Sequence, residues 1–180
     1  MQTVGTELSI VDVKIQNEQM DVKLQLLDTG GHPAQRSLVE HGLGAGHDFC
    51  CLVYSVADKA SFLAVKHWHS ILSARTTKPK ASLKGVLVAS KIDLPVSMHQ
   101  VCQGCMKMCE EAAAWLGLHS SVQVQQDEGE TLANELGMEL ILASGMRLAD
   151  ARRPFEQLAR LIIDEYKSEV SRIEECVSAM

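Results

Sequence analysis

The 180-residue sequence has no surplus of positive charge: 17 Lys and Arg stand against 23 Asp and Glu, for a net charge of −6. Sequence-independent affinity for nucleic acid grows with the number of phosphates neutralised, so nucleic acid is not an expected partner. Long apolar runs are missing too. The strongest, Phe49 to Val56 and Gly85 to Ala89, fall far short of the roughly 20 residues that cross a bilayer. The opening MQTVGTELS has neither the basic start nor the apolar stretch of a secretory signal, so a reducing cytoplasm is the expected compartment. In that setting six cysteines are free thiols or metal ligands before they are disulfides. Cys50 and Cys51 adjoin within a strand-like run, where neighbours point to opposite faces, and both are read as small hydrophobes.

What is present is an ordinary globular composition, 46% apolar and 22% charged, in one domain's length of chain. Leu8 to Ile15 is strand-like, and Val22, Leu24 and Leu26 alternate with Lys23 and Gln25. The polar turn Gln16 to Gln19 between them predicts an antiparallel pair. Asp28-Thr29-Gly30-Gly31-His32-Pro33 then breaks regular structure and makes a loop at a strand's carboxyl end.

Downstream the pattern alternates. Strands are expected at Phe49 to Ser55, Lys84 to Ser90 and Glu139 to Ala143, with helices from Asp58 to Arg75, within QQDEGETLANELG, and along the C-terminal segment. Such alternation predicts a parallel sheet covered on both faces. Asp58 is a suitable N-cap, followed by the stripe Phe62, Val65, Trp68, His69 and Leu72. Phe155, Leu158, Ala159, Ile162, Ile163 and Tyr166 form the matching stripe at the C-terminus. A single α/β domain over residues 1–180 accounts for this order, with Ser97 to Ser121 as an insertion or gene-model artefact.

Three loops at strand ends carry the chemistry. Asp28-x-x-Gly31 suits magnesium and a terminal phosphate: the carboxylate holds a metal-bound water, and glycine permits close backbone approach. In Ser90-Lys91-Ile92-Asp93 the Asp93 carboxylate can accept from guanine N1 and N2 while the Lys91 stem lies over the ring. A base without those donors would leave the carboxylate unpaired. Ala143-Ser144-Gly145 can place a backbone amide at guanine O6. Open α/β sheets bind ligands at the carboxyl ends of their strands, where all three loops fall.

TVGTEL from Thr3, LQLLDTGG, CLVYSVADKASF, KGVLVASKIDLP and FEQLARLIIDEYKSEV resemble the Ras-superfamily small GTPases, and among them the Rab-like subunits of the intraflagellar transport machinery. The resemblance spans nearly the whole chain outside Ser97 to Ser121. It implies a mostly parallel sheet flanked by helices, GTP or GDP with Mg²⁺ as cofactors, and partners in a small β-sandwich transport subunit and larger coiled-coil subunits of a cilium or flagellum. Residue by residue it makes Thr3 a metal-contacting switch threonine, Asp28 and Gly31 the metal and γ-phosphate residues, and Lys91 and Asp93 the base readers. Asp28 and Asp93 are expected at opposite ends of one nucleotide.

Three departures qualify that picture. His32 and Pro33 stand where the family has its water-orienting glutamine, so fast hydrolysis is not expected. Ser90 replaces an asparagine and is expected to lose hydrogen bonds that brace the loop. No G-x-x-x-x-G-K-[ST] occurs, and HGLGAGH from His41 to His47 is no substitute. A first strand, phosphate loop and first helix are therefore expected upstream of this sequence, and their absence removes a central ladder partner from two strands.

The remaining candidates read as structural. His99, Cys102, Cys105, Cys109 and His119 offer zinc donors, but helical spacing spreads the three cysteines along one face instead of around a point. Met106 and Met108 read as helix packing. Cys176 is one position too far from the end for a C-a-a-X prenylation signal, so direct membrane anchoring is not expected.

Overall fold

The computed structural model describes residues 6–15, 20–30, 49–75, 83–94 and 122–178. The elements in order are β1 (Thr6–Lys14), β2 (Asp21–Thr29), β3 (Phe49–Ser55), α1 (Lys59–Ser73), β4 (Lys84–Ser90), α2 (Gln126–Leu136), β5 (Glu139–Ala143) and α3 (Leu148–Ser178). The expected Asp58 to Arg75 helix thus ends two residues early, and Ile15 lies just beyond its strand. The chain divides into two compact units, one of Met1–Cys50, Ser70–Gly85 and Arg152–Met180 and the other of Cys51–His69 and Val86–Ala151.

The first unit is built on the antiparallel pair of β1 and β2, with Thr6 opposite Thr29 and Lys14 opposite Asp21. Period-two alternation sends Val11 and Val13 to one face, where Val22, Leu24 and Leu26 join them from β2. Against that face lies α3. Val13, Ile15, Leu24, Ala159 and Ile163 are buried together, with Phe155 and Ile162 packed on them. Each fully buried Val, Leu or Ile contributes about 1.5–3 kcal/mol. Lys84 and Glu165 add an ion pair within the same unit.

Tyr166 departs from its expected place in the core stripe. It is 56% exposed, because α3 runs on past the residues that β1 and β2 cover. The opposite face of the hairpin is charged at one end, where Lys23 pairs with Asp12 at 3.5 Å. At its other end Leu8, Ile10 and Leu27 are exposed.

In the second unit the sheet runs in the order β3-β4-β5. β4 and β5 are parallel, with Val86 opposite Glu139 and Ser90 opposite Ala143. Gly85 to Ala89 are all buried, as expected of a strand covered on both faces. Among the described residues β1-β2 and β3-β4-β5 form separate ladders.

α1 begins where Asp58 Oδ1 accepts from the amides of Ala60 at 2.9 Å and Ser61 at 3.3 Å, the expected N-cap. Of its predicted stripe only Val65 is fully buried; Phe62, Trp68, His69 and Leu72 are half-buried. Tyr54, buried on β3, meets Phe62 edge-to-face at 5.0 Å between ring centroids. Its hydroxyl lies where a β-carbon on Gly129 would be, 2.3 Å away, so α2 approaches β3 through a glycine. α2 ends at Gly137, in the left-handed conformation with φ 66°. The helices are also tied by the Lys59–Glu128 ion pair and by Lys66–Glu135 at 2.6 Å.

Candidate functional site

β4 and β5 are adjacent and parallel, so their carboxyl ends emerge side by side and each turns at once. After β4 comes the turn Lys91 to Leu94, closed by the Leu94 amide donating to the Lys91 carbonyl at 3.2 Å. Lys91 takes φ 63°, a left-handed conformation that costs a side-chain-bearing residue about 1–2 kcal/mol. After β5 comes Ser144 to Arg147, closed by the Arg147 amide donating to the Ser144 carbonyl at 3.2 Å.

The two turns meet at one hydrogen bond. Ser144 Oγ donates to Asp93 Oδ1 at 2.6 Å and accepts from the Met146 amide at 3.2 Å. Ser144 is completely buried, while Asp93 is exposed. The Ser144 hydroxyl, the Asp93 amide and the nearby Arg147 charge hold the Asp93 carboxyl below the usual carboxylate range. Asp93 therefore stays ionised, with acceptor capacity left for further donors. Arg147 is itself held by Asp150, at 3.2 Å from its Nε.

Ser90 joins two strand ends. Its hydroxyl donates to the Tyr54 carbonyl at 2.7 Å, and its carbonyl accepts from the Val56 amide at 3.0 Å. The end of β4 is thus tied to the end of β3 directly before the strained Lys91. This side-chain contact joins β4 to β3, a pairing that the spacing of the sequence does not reveal.

Lys91 is exposed, as is Gly145, where an added β-carbon would meet nothing within 4 Å. The structure thus brings together Lys91, Asp93, Ser144 and Gly145 in one unit. Asp28 belongs to the other unit, near the end of β2 and directly opposite Glu7 in the register. Both side chains are exposed at the end of the hairpin. Thr3, Gly31 and His32 lie outside the described residues, as do HGLGAGH, Met106, Met108 and the His99, Cys102, Cys105, Cys109 and His119 set. Among the described residues no group of three or more His, Cys, Asp or Glu is placed to hold a metal. Cys50 and Cys51 behave as small hydrophobes: Cys50 is buried, and burial pushes the Cys51 thiol up to about 11.

The model of the Ras family matches residues 1–164. The chain belongs to the Ras family. Its fold is a Ras-like domain, similar to that of the Ras and Rab small GTPases; proteins of this family bind GTP or GDP with Mg²⁺. It is 33% identical over 99 residues to Intraflagellar transport protein 27 of Chlamydomonas reinhardtii, covering 55% of this chain and 48% of that protein. It is 36% identical over 86 residues to Ras-related protein Rab-7b of Bos taurus, covering 48% of this chain and 42% of that protein. To Ras-related protein SEC4 of Saccharomyces cerevisiae it is 27% identical over 166 residues, or 92% of this chain and 63% of that protein. The chain thus spans less than two thirds of each of these relatives. Among the described residues no helix is long and apolar enough to cross a membrane.

Proposed function

We propose that this chain is a Rab-like subunit of an intraflagellar transport complex, working in a cilium or flagellum through protein contacts. In this reading it binds guanine nucleotide weakly, or only with further residues upstream. The observation that carries it is the 2.6 Å hydrogen bond from Ser144 to Asp93. It holds an exposed, ionised carboxylate at the carboxyl ends of two adjacent strands, where a base presenting two N–H donors would satisfy it.

Within that reading Asp93 accepts from guanine N1 and N2, Ser144 fixes its carboxylate, Lys91 covers the ring, and the Gly145 amide lies at O6. Asp28 would hold Mg²⁺ through a bound water, with Thr3 as the second metal residue and Gly31 at the γ-phosphate. The ion would supply charge neutralisation on the phosphates. His32 in place of a glutamine leaves the attacking water without its usual orienting group, so hydrolysis is slow. The likeness to an algal intraflagellar transport protein supports the transport assignment, with a small β-sandwich subunit and coiled-coil subunits as partners. The exposed Leu8, Ile10 and Leu27 on one face of the hairpin support a role in protein contacts, since clustered surface apolar residues mark such sites.

The test is to purify the native protein with whatever it carries, denature it, and identify released nucleotide by chromatography and mass spectrometry. Guanine nucleotide that is lost on Asp93→Ala, and GTP retention that falls on Asp28→Ala, are the expected results. Absence of guanine nucleotide from the full-length protein sinks the switch reading and leaves a scaffold. Rapid turnover on adding an activating partner would instead make it a conventional GTPase.

A further inference from the structure

α3 is 31 residues long, about 47 Å at the helical rise of 1.5 Å per residue. Only part of that length is covered. Ala159, Ile163, Tyr166, Val170, Ile173 and Val177 are separated alternately by four and three residues, the spacing of a heptad seam. At about 100° per residue all six fall within one stripe some 80° wide. The first two are buried in the core of the first unit, at 0% and 4% exposure. The later ones are not: Tyr166, Ile173 and Val177 are 56%, 60% and 67% exposed, and Val170 is half-buried.

The same stripe that seats the helix therefore continues beyond its seat as an apolar surface two heptads long. It is flanked by Lys167 and Glu174 on one side and by Glu169 and Cys176 on the other. The charge order is complementary to itself in one orientation only. If two copies paired in parallel, Glu169 of one would flank Glu174 of the other, and like charges there disfavour the pair. If they paired antiparallel, Lys167 of each copy would flank Glu174 of the other, twice per dimer.

We propose that the exposed half of α3 is a self-association surface, pairing antiparallel with the same segment of a second copy. In the register set by these charges Val170 lies against Ile173 of the other copy, and Tyr166 against Val177. Val177 then stops short of Ile163, whose side of the helix is already taken by β1 and β2. Short heptad segments are poor dimers in isolation because forming the helix is costly. Here that cost is offset beforehand, since Ala159 and Ile163 anchor α3 in the core of the first unit. Only the seam remains to be buried. The proposal does not depend on the nucleotide reading.

The test measures mass against protein concentration by sedimentation for the full chain and four variants. The expected result is a reversible, concentration-dependent dimer. Ile173→Ser, which removes two apolar residues per dimer, weakens it by at least about 100-fold. Lys167→Glu and Glu174→Lys each weaken it by about tenfold at low salt, and the double reversal Lys167→Glu/Glu174→Lys restores it. Because these positions are exposed, the far-UV dichroism of the monomer stays unchanged. A protein that is monomeric at every concentration overturns the proposal, as does a dimer indifferent to Ile173→Ser. Strengthening on Glu174→Lys overturns the antiparallel arrangement, since that change relieves the parallel clash.

Discussion

Ser144 Oγ donates a 2.6 Å hydrogen bond to Asp93 Oδ1 across 51 residues of sequence. It is the contact by which one strand end fixes the side chain of the next. Removing it releases the carboxylate without removing the charge.

In Ser144→Ala the Asp93 carboxyl is expected to rise toward the ordinary carboxylate value, because the largest cause of its depression is gone. The sign follows from linkage: a carboxyl depressed in the folded state contributes stability above its unfolded value, and that contribution is lost as pH falls through the folded value. Side-chain carboxyl NMR titration of both proteins measures the change. Guanine nucleotide affinity should fall about tenfold or more in the variant, as read by calorimetry, and an unaltered Asp93 titration would show that the hydroxyl does not hold it.

Lys91 holds a left-handed backbone at φ 63°, so Lys91→Gly relieves strain while removing the stem assigned to the base. Stability should rise by up to about 1 kcal/mol while nucleotide retention falls. Urea unfolding and nucleotide release, measured on the same preparation, give the two readings. A loss of both would mean that the lysine side chain itself supports the fold.

Gly129→Ala drives a methyl into the Tyr54 hydroxyl, 2.3 Å from where the new carbon would sit. The cost should be about 1–3 kcal/mol. Tyr54→Phe in the same background removes the obstructing oxygen and should recover part of it. A double-mutant cycle by chemical denaturation reads the coupling.

Tyr54 also makes the fold sensitive to alkali. Burial, with a smaller effect from Glu128, raises its hydroxyl from 10.0 to about 12. A group raised on folding favours the folded state below its unfolded value, so this contribution is lost as pH rises from about 10 to about 12. The slope of stability against pH in that window should be shallower in Tyr54→Phe. Equal slopes would show that the tyrosine does not titrate with unfolding.

Much of the secondary structure was legible because periodicity is a local property. β3, β4 and β5 lie where apolar runs and flanking turns place them, and Asp58 caps α1 because its carboxylate reaches amides two and three residues on. The charged turn residues Lys91 and Asp93 were recognisable at a strand end for the same reason. The partner of Ser90 was not legible, since the carbonyl it bonds belongs to Tyr54, 36 residues away. Gly129 carried no signal at all: a glycine inside a helical pattern does not announce the tyrosine that requires it.

The sequence by itself determined which residues alternate, which cap and which can ionise, because those follow from bonded geometry and side-chain chemistry. Only the tertiary structure decided that Ser144 fixes Asp93, that Ser90 braces the strand before it, and that the stripe on α3 is covered at Ala159 and bare at Ile173. A stripe of one spacing is buried or exposed according to how far the neighbouring strands reach, and that length is set by the packing of distant segments.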